Sequence, residues 1–302
     1  MNERKQMWLD LIGSPTDYEF EHTLKLMKTW EENDYIIELY EQANGPGTTQ
    51  RLMMLFPKNN ITKPLPCVLT PFYFPEAMLG YDPESGAAEE QFIEVAMMLH
   101  LVRRGYAAAS ADSYHLTYIR TDRERDDFAR WQEAAEALNS DHPNWSGVGK
   151  LVHDTRLIID AMAADPRVDE TRIGIAGHSL GGKMAFYTGC LDERIKVILA
   201  SDFGIGWDQT NWNAGWYWGT EKVEAFKAKS IEHSTLLASA APTPMMLLAG
   251  LYDNDESRAI MERASGYESC PDRLAIINHA SGHRPPADIL EQGYEFLDRF
   301  LK

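Results

Sequence analysis

A short run in the middle of the chain, Gly177-His178-Ser179-Leu180-Gly181-Gly182, follows an apolar stretch, Ile173-Gly174-Ile175-Ala176, and opens a helical one from Lys183 to Cys190. A serine hydroxyl is a poor nucleophile unless it is held at a sharp strand-to-helix turn, and that turn needs small residues two before and two after the serine. Gly177 and Gly181 stand at those places. The helix beginning behind the serine leaves its first N–H groups without intrahelical partners, which aims the N–H of Leu180 at the point where an oxyanion would form. A glycine-rich turn with a structural serine also fits Gly-x-Ser-x-Gly. The strand before it and the helix after it select Ser179 as nucleophile.

Such a serine needs an imidazole to take its proton, and in the chain order associated with this turn the orienting acid comes next and the histidine last. The stretch Met245 to Ala249 ends in Gly250-Leu251-Tyr252-Asp253, which places Asp253 on a loop at the carboxyl edge of a sheet. Asp253 is the expected orienter. Asp255 and Glu256 lie close by, and the run could instead be a solvated loop; it lacks the spacing of a calcium-binding loop. The following strand ends in Asn278-His279-Ala280-Ser281-Gly282-His283. His283 is the expected general base, because Gly282 lets the chain turn there, and His279 reads as a packed or hydrogen-bonded side chain. The two are four apart, as in a helical metal pair, but Gly282 and the strand context oppose that and no H-E-x-x-H is present. No metal site is expected. The remaining histidines read as surface or structural, and His178, though beside the nucleophile, is expected to point elsewhere.

Half of the eight tryptophans, Trp207, Trp212, Trp216 and Trp218, crowd between Gly206 and Gly219 together with Tyr217. Flat aromatic faces interleaved with Asp208, Gln209, Asn211 and Asn213 suit stacking on sugar rings or lining an acyl pocket. The same cluster fits an aromatic satellite core equally well. Trp131 and Trp145 could join the same rim, and residues 122 to 136 read as a solvated helical face.

These residues need a scaffold. Met7, Trp8 and Leu11, then Leu24, Leu26, Met27 and Trp30, suggest an N-terminal helical cap over residues 1 to 34. Residues 35 to 43 and 49 to 57 flank the turn signal Asn44-Gly45-Pro46-Gly47 as a hairpin, and Pro66 to Phe74 forms a third strand. Phe92, Val95, Ala96 and Leu99 mark a buried helix face ahead of the strand YAAASAD; Leu151, Thr155, Ile158 and Met162 mark another, closed by Asp165-Pro166. Val197 to Ala200, Met245 to Ala249 and Leu274 to Ile277 are further strands, and Leu290, Tyr294, Leu297 and Leu301 a final amphipathic helix. Apolar strands alternating with such helices give an α/β fold, a mostly parallel sheet covered on both faces behind an antiparallel hairpin. One domain over residues 1 to 302 is expected, with insertions near 115 to 147 and 204 to 232.

The composition, 44% apolar and 25% charged over 302 residues, is that of an ordinary folded domain and excludes disordered, collagen-like and disulfide-scaffold classes. A formal charge of -17, from 46 acidic against 29 basic residues, repels phosphate backbones and anionic lipid, so neither nucleic acid nor membrane is an expected partner. Three scattered cysteines, Cys67, Cys190 and Cys270, form no C-x-x-C pair and read as reduced, buried thiols. The opening residues lead into a mixed helix rather than a signal-peptide core, and the expected location is cytoplasmic.

Taken together, the segment leading to Pro71-Phe72-Tyr73, RRGYAAASAD, DPRVDETRIGIAGHSLGG, Gly250 to Asp253 and Gly282-His283 resemble the α/β-hydrolase superfamily, nearest to its dienelactone-hydrolase-like and acetyl-xylan-esterase-like branches. The resemblance spans about Tyr35 to the end. It implies a Ser179, His283, Asp253 triad with no cofactor, and a second oxyanion N–H after the third strand, by position that of Tyr73 with Phe72 next, where the family often has His-Gly and this chain has Pro71-Phe72. Dienelactone hydrolases use a cysteine where Ser179 stands, so ordinary serine ester hydrolysis through an acyl-enzyme is the expectation. The chain is also similar to glucuronoyl esterases in carrying a lysine, Lys183, four residues after the nucleophile, although their following arginine is Leu180 here. The expected substrate is a small acyl or methyl ester, with carbohydrate esters favoured, and a homo-oligomer is compatible with the sequence. The alternatives are a serine peptidase or amidase of the same fold, and a non-catalytic binding protein.

Overall fold

The computed structural model describes residues 3–13, 19–58 and 63–302. In chain order the elements are α1 (Glu3–Ile12), β1 (Leu24–Glu31), β2 (Tyr35–Gly45), β3 (Thr48–Pro57), β4 (Leu65–Leu69), α2 (Pro75–Leu79), a 3₁₀ turn (Ile93–Val95), α3 (Met97–Arg103), β5 (Ala107–Ala111), α4 (Tyr114–Thr117), α5 (Phe128–Asp141), α6 (Gly147–Ala164) and β6 (Val168–His178). They continue with α7 (Leu180–Leu191), β7 (Ile195–Ser201), α8 (Thr220–Ala228), α9 (His233–Ala240), β8 (Met245–Ala249), α10 (Asp255–Glu262), a 3₁₀ turn (Pro271–Arg273), β9 (Leu274–Asn278) and α11 (Ala287–Leu301).

Among the described residues the strands form one nine-stranded sheet in the order β1-β2-β3-β5-β4-β6-β7-β8-β9. The first three and the β3–β5 pair are antiparallel, and from β5 onward neighbours are parallel. The strict two-residue period of a strand divides the sheet's side chains between two cores. Cys67, Leu69, Ile173, Ile175, Ile198, Ala200, Met245 and Leu247 face the layer of α6 and α7. Val68, Ala176, Val197, Leu199, Met246 and Leu248 face the layer of α3 and α11. Both faces are dry, which explains why these strands read as continuous apolar runs.

The expected hairpin and parallel strands are present, and the helix expected around Phe92 is divided into the 3₁₀ turn and α3. The N-terminal cap is corrected. Among the described residues there only α1 is helical, and Leu24, Leu26, Met27 and Trp30 lie on β1, an edge strand of the sheet, paired antiparallel with β2. Residues 1, 2 and 14 to 18 of that expected cap lie outside the described residues. The apolar spacing misled because β1 has almost no buried face: Leu24, Leu26 and Met27 are exposed, so its ladder with β2 rather than burial fixes its conformation. The 122 to 136 run is also no plain solvated face, since Trp131, Ala134 and Ala135 of α5 are buried. Cys67 and Cys190 are buried free thiols and Cys270 is partly exposed. Among the described residues no helix is long and apolar enough to cross a membrane.

Helix α7, which stands behind Ser179, lies close to the sheet because Gly189 has no side chain. A Cβ there would sit 2.4 Å from Ile198 Cγ1 and 3.3 Å from Ile175 Cγ2. Gly189→Val should therefore lower unfolding stability by about 3 kcal/mol through overpacking, measured as a lower urea midpoint at unchanged slope; an unchanged midpoint would show that the contact yields freely.

Candidate active site

Ser179 sits between β6 and α7 with φ 56° and ψ −117°, a conformation that side-chain-bearing residues rarely hold. Its own N–H is spent on Ser201 O at 2.8 Å, which pins the turn to the end of β7. The flanking glycines are needed for contact as well as for turning: a Cβ on Gly177 would lie 2.1 Å from Gly181 O, and one on Gly181 would lie 2.2 Å from Pro71 O. The second contact brings the segment after β4 against the turn. Leu180 is the first residue of α7, and Tyr73 follows Pro71 and Phe72, so the two expected oxyanion N–H groups belong to adjoining segments. Tyr73 is held by its carbonyl, which accepts the Ser113 N–H at 2.9 Å.

The aspartate that meets His283 is not the expected Asp253. His283 Nδ1 lies 2.6 Å from Oδ2 of Asp202, at the end of β7. A carboxylate only accepts, so Nδ1 is the donor, and in a neutral ring this tautomer leaves the lone pair on Nε2, where a general base requires it. Asp202 is fully buried with φ 41°, and its Oδ1 accepts the N–H groups of Gly250 (3.1 Å), Tyr252 (2.9 Å) and Asp253 (3.0 Å). Burial pushes its pKa up, but the bonds from His283 and from the turn N–H groups outweigh that and hold the carboxyl below its ordinary range.

Asp253, equally buried, turns the other way. Its Oδ2 accepts the N–H groups of Phe203 and Gly204, both at 2.8 Å, and its Oδ1 those of Ile205 (2.8 Å) and the Ser257 hydroxyl (2.9 Å). These donors fill it, and it braces the loop that carries Asp202 instead of touching His283. Burial keeps its pKa above the ordinary value, with the Ile205 and Gly204 N–H groups opposing. The signal for Asp202 was present in the sequence: Ser201-Asp202-Phe203-Gly204 ends β7 at the same sheet edge where Gly250 to Asp253 ends β8. Two strands end in an aspartate, and only the packing tells which one reaches the histidine.

His283 is gripped on two sides. His178 lies 4.5 Å away at an interplanar angle of 43°, and Tyr252 meets it edge-on at 5.0 Å. His178 therefore does not point away from the site as expected; its Nδ1 is 3.1 Å from Ser201 Oγ, and burial, with His283 beside it, pushes its pKa down to about 3. It faces the His283 imidazole as an uncharged ring. His279 bonds Ser281 Oγ at 2.6 Å through Nδ1, as a hydrogen-bonded residue of the loop. Among the described residues no group of three or more His, Cys, Asp or Glu side chains is placed to hold a metal.

Two clefts open on this centre and share Ser179, His283, Tyr73, Phe128 and Trp131. One, of about 400 Å³, is walled by Phe72, Phe74 and Phe92 with Arg125 and Arg284 on its border. The other, of about 370 Å³, is polar, lined by Lys183, Thr210 and Asn211 beside Leu180 and Asp202. Lys183 is buried, donates to Phe203 O (2.7 Å) and Thr210 Oγ1 (3.3 Å), and rests 4.0 Å above the Trp212 ring. Burial drives its pKa well below the ordinary lysine value, against the opposing pull of Asp253 and Asp202.

The tryptophan cluster is packing. Trp207, Trp212, Trp216 and Trp218 line neither cleft. Trp212 donates to Gly204 O, Trp218 to the Tyr187 hydroxyl and Trp207 to Ile231 O, all from inside the core around His233, while Trp216 packs on Phe128 and Trp131. The indole N–H groups of those three find backbone or side-chain partners within the protein, so they fix the shape of the insertion. Trp131 is the tryptophan that reaches both clefts, and Trp145 is buried against His142.

The chain is similar to several known proteins. Residues 153–235 match the family model described as glucuronyl esterase, fungi. A Bacillus subtilis (strain 168) protein named YtaP, whose name assigns it provisionally to the hydrolases, is 27% identical over 165 residues, 51% of this chain and 54% of its own. The match thus spans about half the length of that relative. Solved structures similar to the whole chain include a glucuronoyl esterase from Solibacter usitatus (TM-score 0.73, 14% identity, 100% of this chain and 93% of that one). Others are a glucuronoyl esterase from Teredinibacter turnerae T7901 (0.69, 17%, 98% and 83%) and an acetyl xylan esterase from Paenibacillus sp. R4 (0.63, 14%, 100% and 95%). At such identities the likeness establishes the fold.

The buried histidines bear on stability. His115, His178 and His233 all have pKa values pushed down to about 3 by burial, from an ordinary 6.5. On acidification the unfolded chain takes up protons below 6.5 that the native state refuses until about 3, so this stability is full above 6.5 and is lost as pH falls through that window. Urea midpoints taken from pH 7.5 to 4 should decline, each histidine contributing up to about 1.4 kcal/mol per pH unit, and His178→Asn should flatten the decline; a midpoint indifferent to pH would contradict the burial.

Proposed function

With the α/β-hydrolase fold as premise, we propose that this chain is a serine carboxylic ester hydrolase working through an acyl-enzyme. The observation that carries the reading is the His283 Nδ1 to Asp202 hydrogen bond at 2.6 Å, beside a serine held at φ 56° on the same clefts. In this reaction Ser179 Oγ attacks the ester carbonyl while His283 Nε2 takes its proton. The imidazolium so formed is stabilised by ionised Asp202. The carbonyl oxygen, now negative, is received by the N–H groups of Leu180 and Tyr73. Collapse of the tetrahedral intermediate expels the alcohol, which leaves with the proton from His283. A water molecule repeats the sequence on the acyl-enzyme, freeing the acid and restoring Ser179.

The substrate class we infer is a small acyl or methyl ester of a carbohydrate. Clefts of about 400 and 370 Å³ suit a molecule of roughly that size, and the Lys183, Thr210 and Asn211 wall offers donors and acceptors to hydroxyl or carboxyl groups. The glucuronyl-esterase family match over residues 153–235, which include both Ser179 and Lys183, supports the same class. The tryptophans do not, since they are packed away from the clefts.

Initial rates on p-nitrophenyl acetate, butyrate and octanoate, then on acetylated xylose and methyl glucuronate, test the reading. Ser179→Ala should abolish turnover, and Asp202→Asn should lower kcat by about 10³- to 10⁴-fold, because the wrong imidazole tautomer is then favoured. Asp253→Asn should instead act on stability, by about 1–3 kcal/mol from weakened buried hydrogen bonds, and cost much less in kcat than Asp202→Asn. Equal rates for wild type and Ser179→Ala would overturn the assignment.

A further inference from the structure

Near the two ends of the segment that carries Tyr73, three charged side chains meet. Arg51, on β3, uses its Nε and Nη2 on the two oxygens of Asp112 (2.9 and 2.8 Å) and its Nη1 and Nη2 on the two oxygens of Glu76 (2.5 and 3.1 Å). Its backbone N–H reaches Asp112 Oδ2 as well, at 3.3 Å. The carboxylates are 7% and 10% exposed and the guanidinium side chain 42% exposed. One planar fork thus neutralises two nearly buried acids, a geometry that lysine cannot copy.

The places of those acids in the chain matter. Glu76 lies in the first turn of α2, three residues after Tyr73, and Asp112 follows β5 immediately before Ser113, whose N–H holds the Tyr73 carbonyl at 2.9 Å. The segment Pro71 to Phe74 is therefore strung between two points, both fastened to Arg51. Neither Arg51 nor its two partners lines either cleft. Nothing else in the ester-hydrolase scheme uses these groups, yet three charges are kept together at the base of the loop on which one oxyanion donor depends.

We propose that Arg51 is a positioning residue for the oxyanion site: by clamping Glu76 and Asp112 together it fixes the Pro71 to Phe74 segment, and with it the Tyr73 N–H, against the nucleophile turn. The inference rests on the ester-hydrolase reading of Ser179. Without the fork, two nearly buried carboxylates face each other unpaired, and α2 and the end of β5 separate. The Tyr73 N–H then moves with them, and a hydrogen bond that strengthens at the transition state suffers more than ground-state binding.

The test compares wild type with Arg51→Met, Arg51→Lys and Glu76→Gln, and with the control Arg156→Met. Arg156 bonds the buried Asp192 at 3.0 Å with a similar 39% exposure, and lines neither cleft. Two readouts are taken: kcat and KM on p-nitrophenyl acetate, and the affinity of benzeneboronic acid, which bonds to the serine Oγ and places an oxygen in the oxyanion site. The expected result for Arg51→Met is a kcat lower by about 10- to 100-fold, KM within about twofold, and boronate affinity weakened by the same factor as kcat. Arg51→Lys and Glu76→Gln should fall between it and wild type, and Arg156→Met should retain both kcat and boronate affinity. If Arg51→Met does not fold, Arg51→Lys and Glu76→Gln carry the same comparison. Loss of thermal stability with kcat and boronate affinity unchanged would overturn the inference and leave Arg51 a brace alone. Wild-type protein that neither hydrolyses the ester nor binds the boronate would overturn the reading of Ser179, and the inference with it.

Discussion

Two neighbouring strand ends in this protein each lend backbone N–H groups to a carboxylate on the other. Asp202, after β7, is held by Gly250, Tyr252 and Asp253; Asp253, after β8, is held by Phe203, Gly204 and Ile205. Burying an isolated carboxylate costs more free energy than a domain can spare, and burying two side by side adds their repulsion. Here each charge is met by the dipoles of the opposite loop, so the arrangement holds only when both loops are in place. The exchange sets Asp202 at φ 41°, where one of its oxygens remains free to receive His283. The active site's geometry depends on this mutual arrangement.

The rest of the centre is built on the same sheet edge. Ser179 is pinned by Ser201 at the end of β7, one residue before Asp202, so the proposed nucleophile and acid are fastened to a single strand end. The oxyanion segment after β4 is brought against the turn by the absence of a side chain on Gly181, and it is stayed from behind by Ser113 and, through Glu76 and Asp112, by Arg51. His283 comes from the loop after β9 and is confined by two rings, His178 and Tyr252. Because burial holds His178 uncharged, it can sit 4.5 Å from the His283 imidazole without opposing the positive charge that the proposed mechanism places there. The aromatic insertion contributes indirectly, with Trp212 forming the platform under Lys183.

Much of this was legible in the sequence, for identifiable physical reasons. Parallel strands buried on both faces must be apolar throughout, and the helices between them must show a stripe, so the sheet from β4 to β9 was readable. A serine flanked by Gly177 and Gly181 between a strand and a helix marks a turn too tight for larger neighbours, and that crowding is visible in the residue types alone. What escaped was information carried by packing. Leu24 to Glu31 pair as an edge strand whose exposed side chains bear no periodic trace of it. Asp202 and Asp253 occupy equivalent strand ends, and both lie between Ser179 and His283 in the chain, so chain order does not separate them. The tryptophans are rich in apolar surface in either role, and only the direction of their N–H groups, toward Gly204, Ile231 and Tyr187, reveals an internal core.

The most direct test of the central claim is the proton on His283 Nδ1, observed by proton NMR with imidazole-labelled protein. A hydrogen bond of 2.6 Å to Asp202 predicts a strongly downfield resonance for that proton. It should persist in Asp253→Asn at temperatures where that variant is folded, and vanish in Asp202→Asn. A resonance that survives in Asp202→Asn and disappears in Asp253→Asn would contradict the account, because Asp253 would then be the partner of His283.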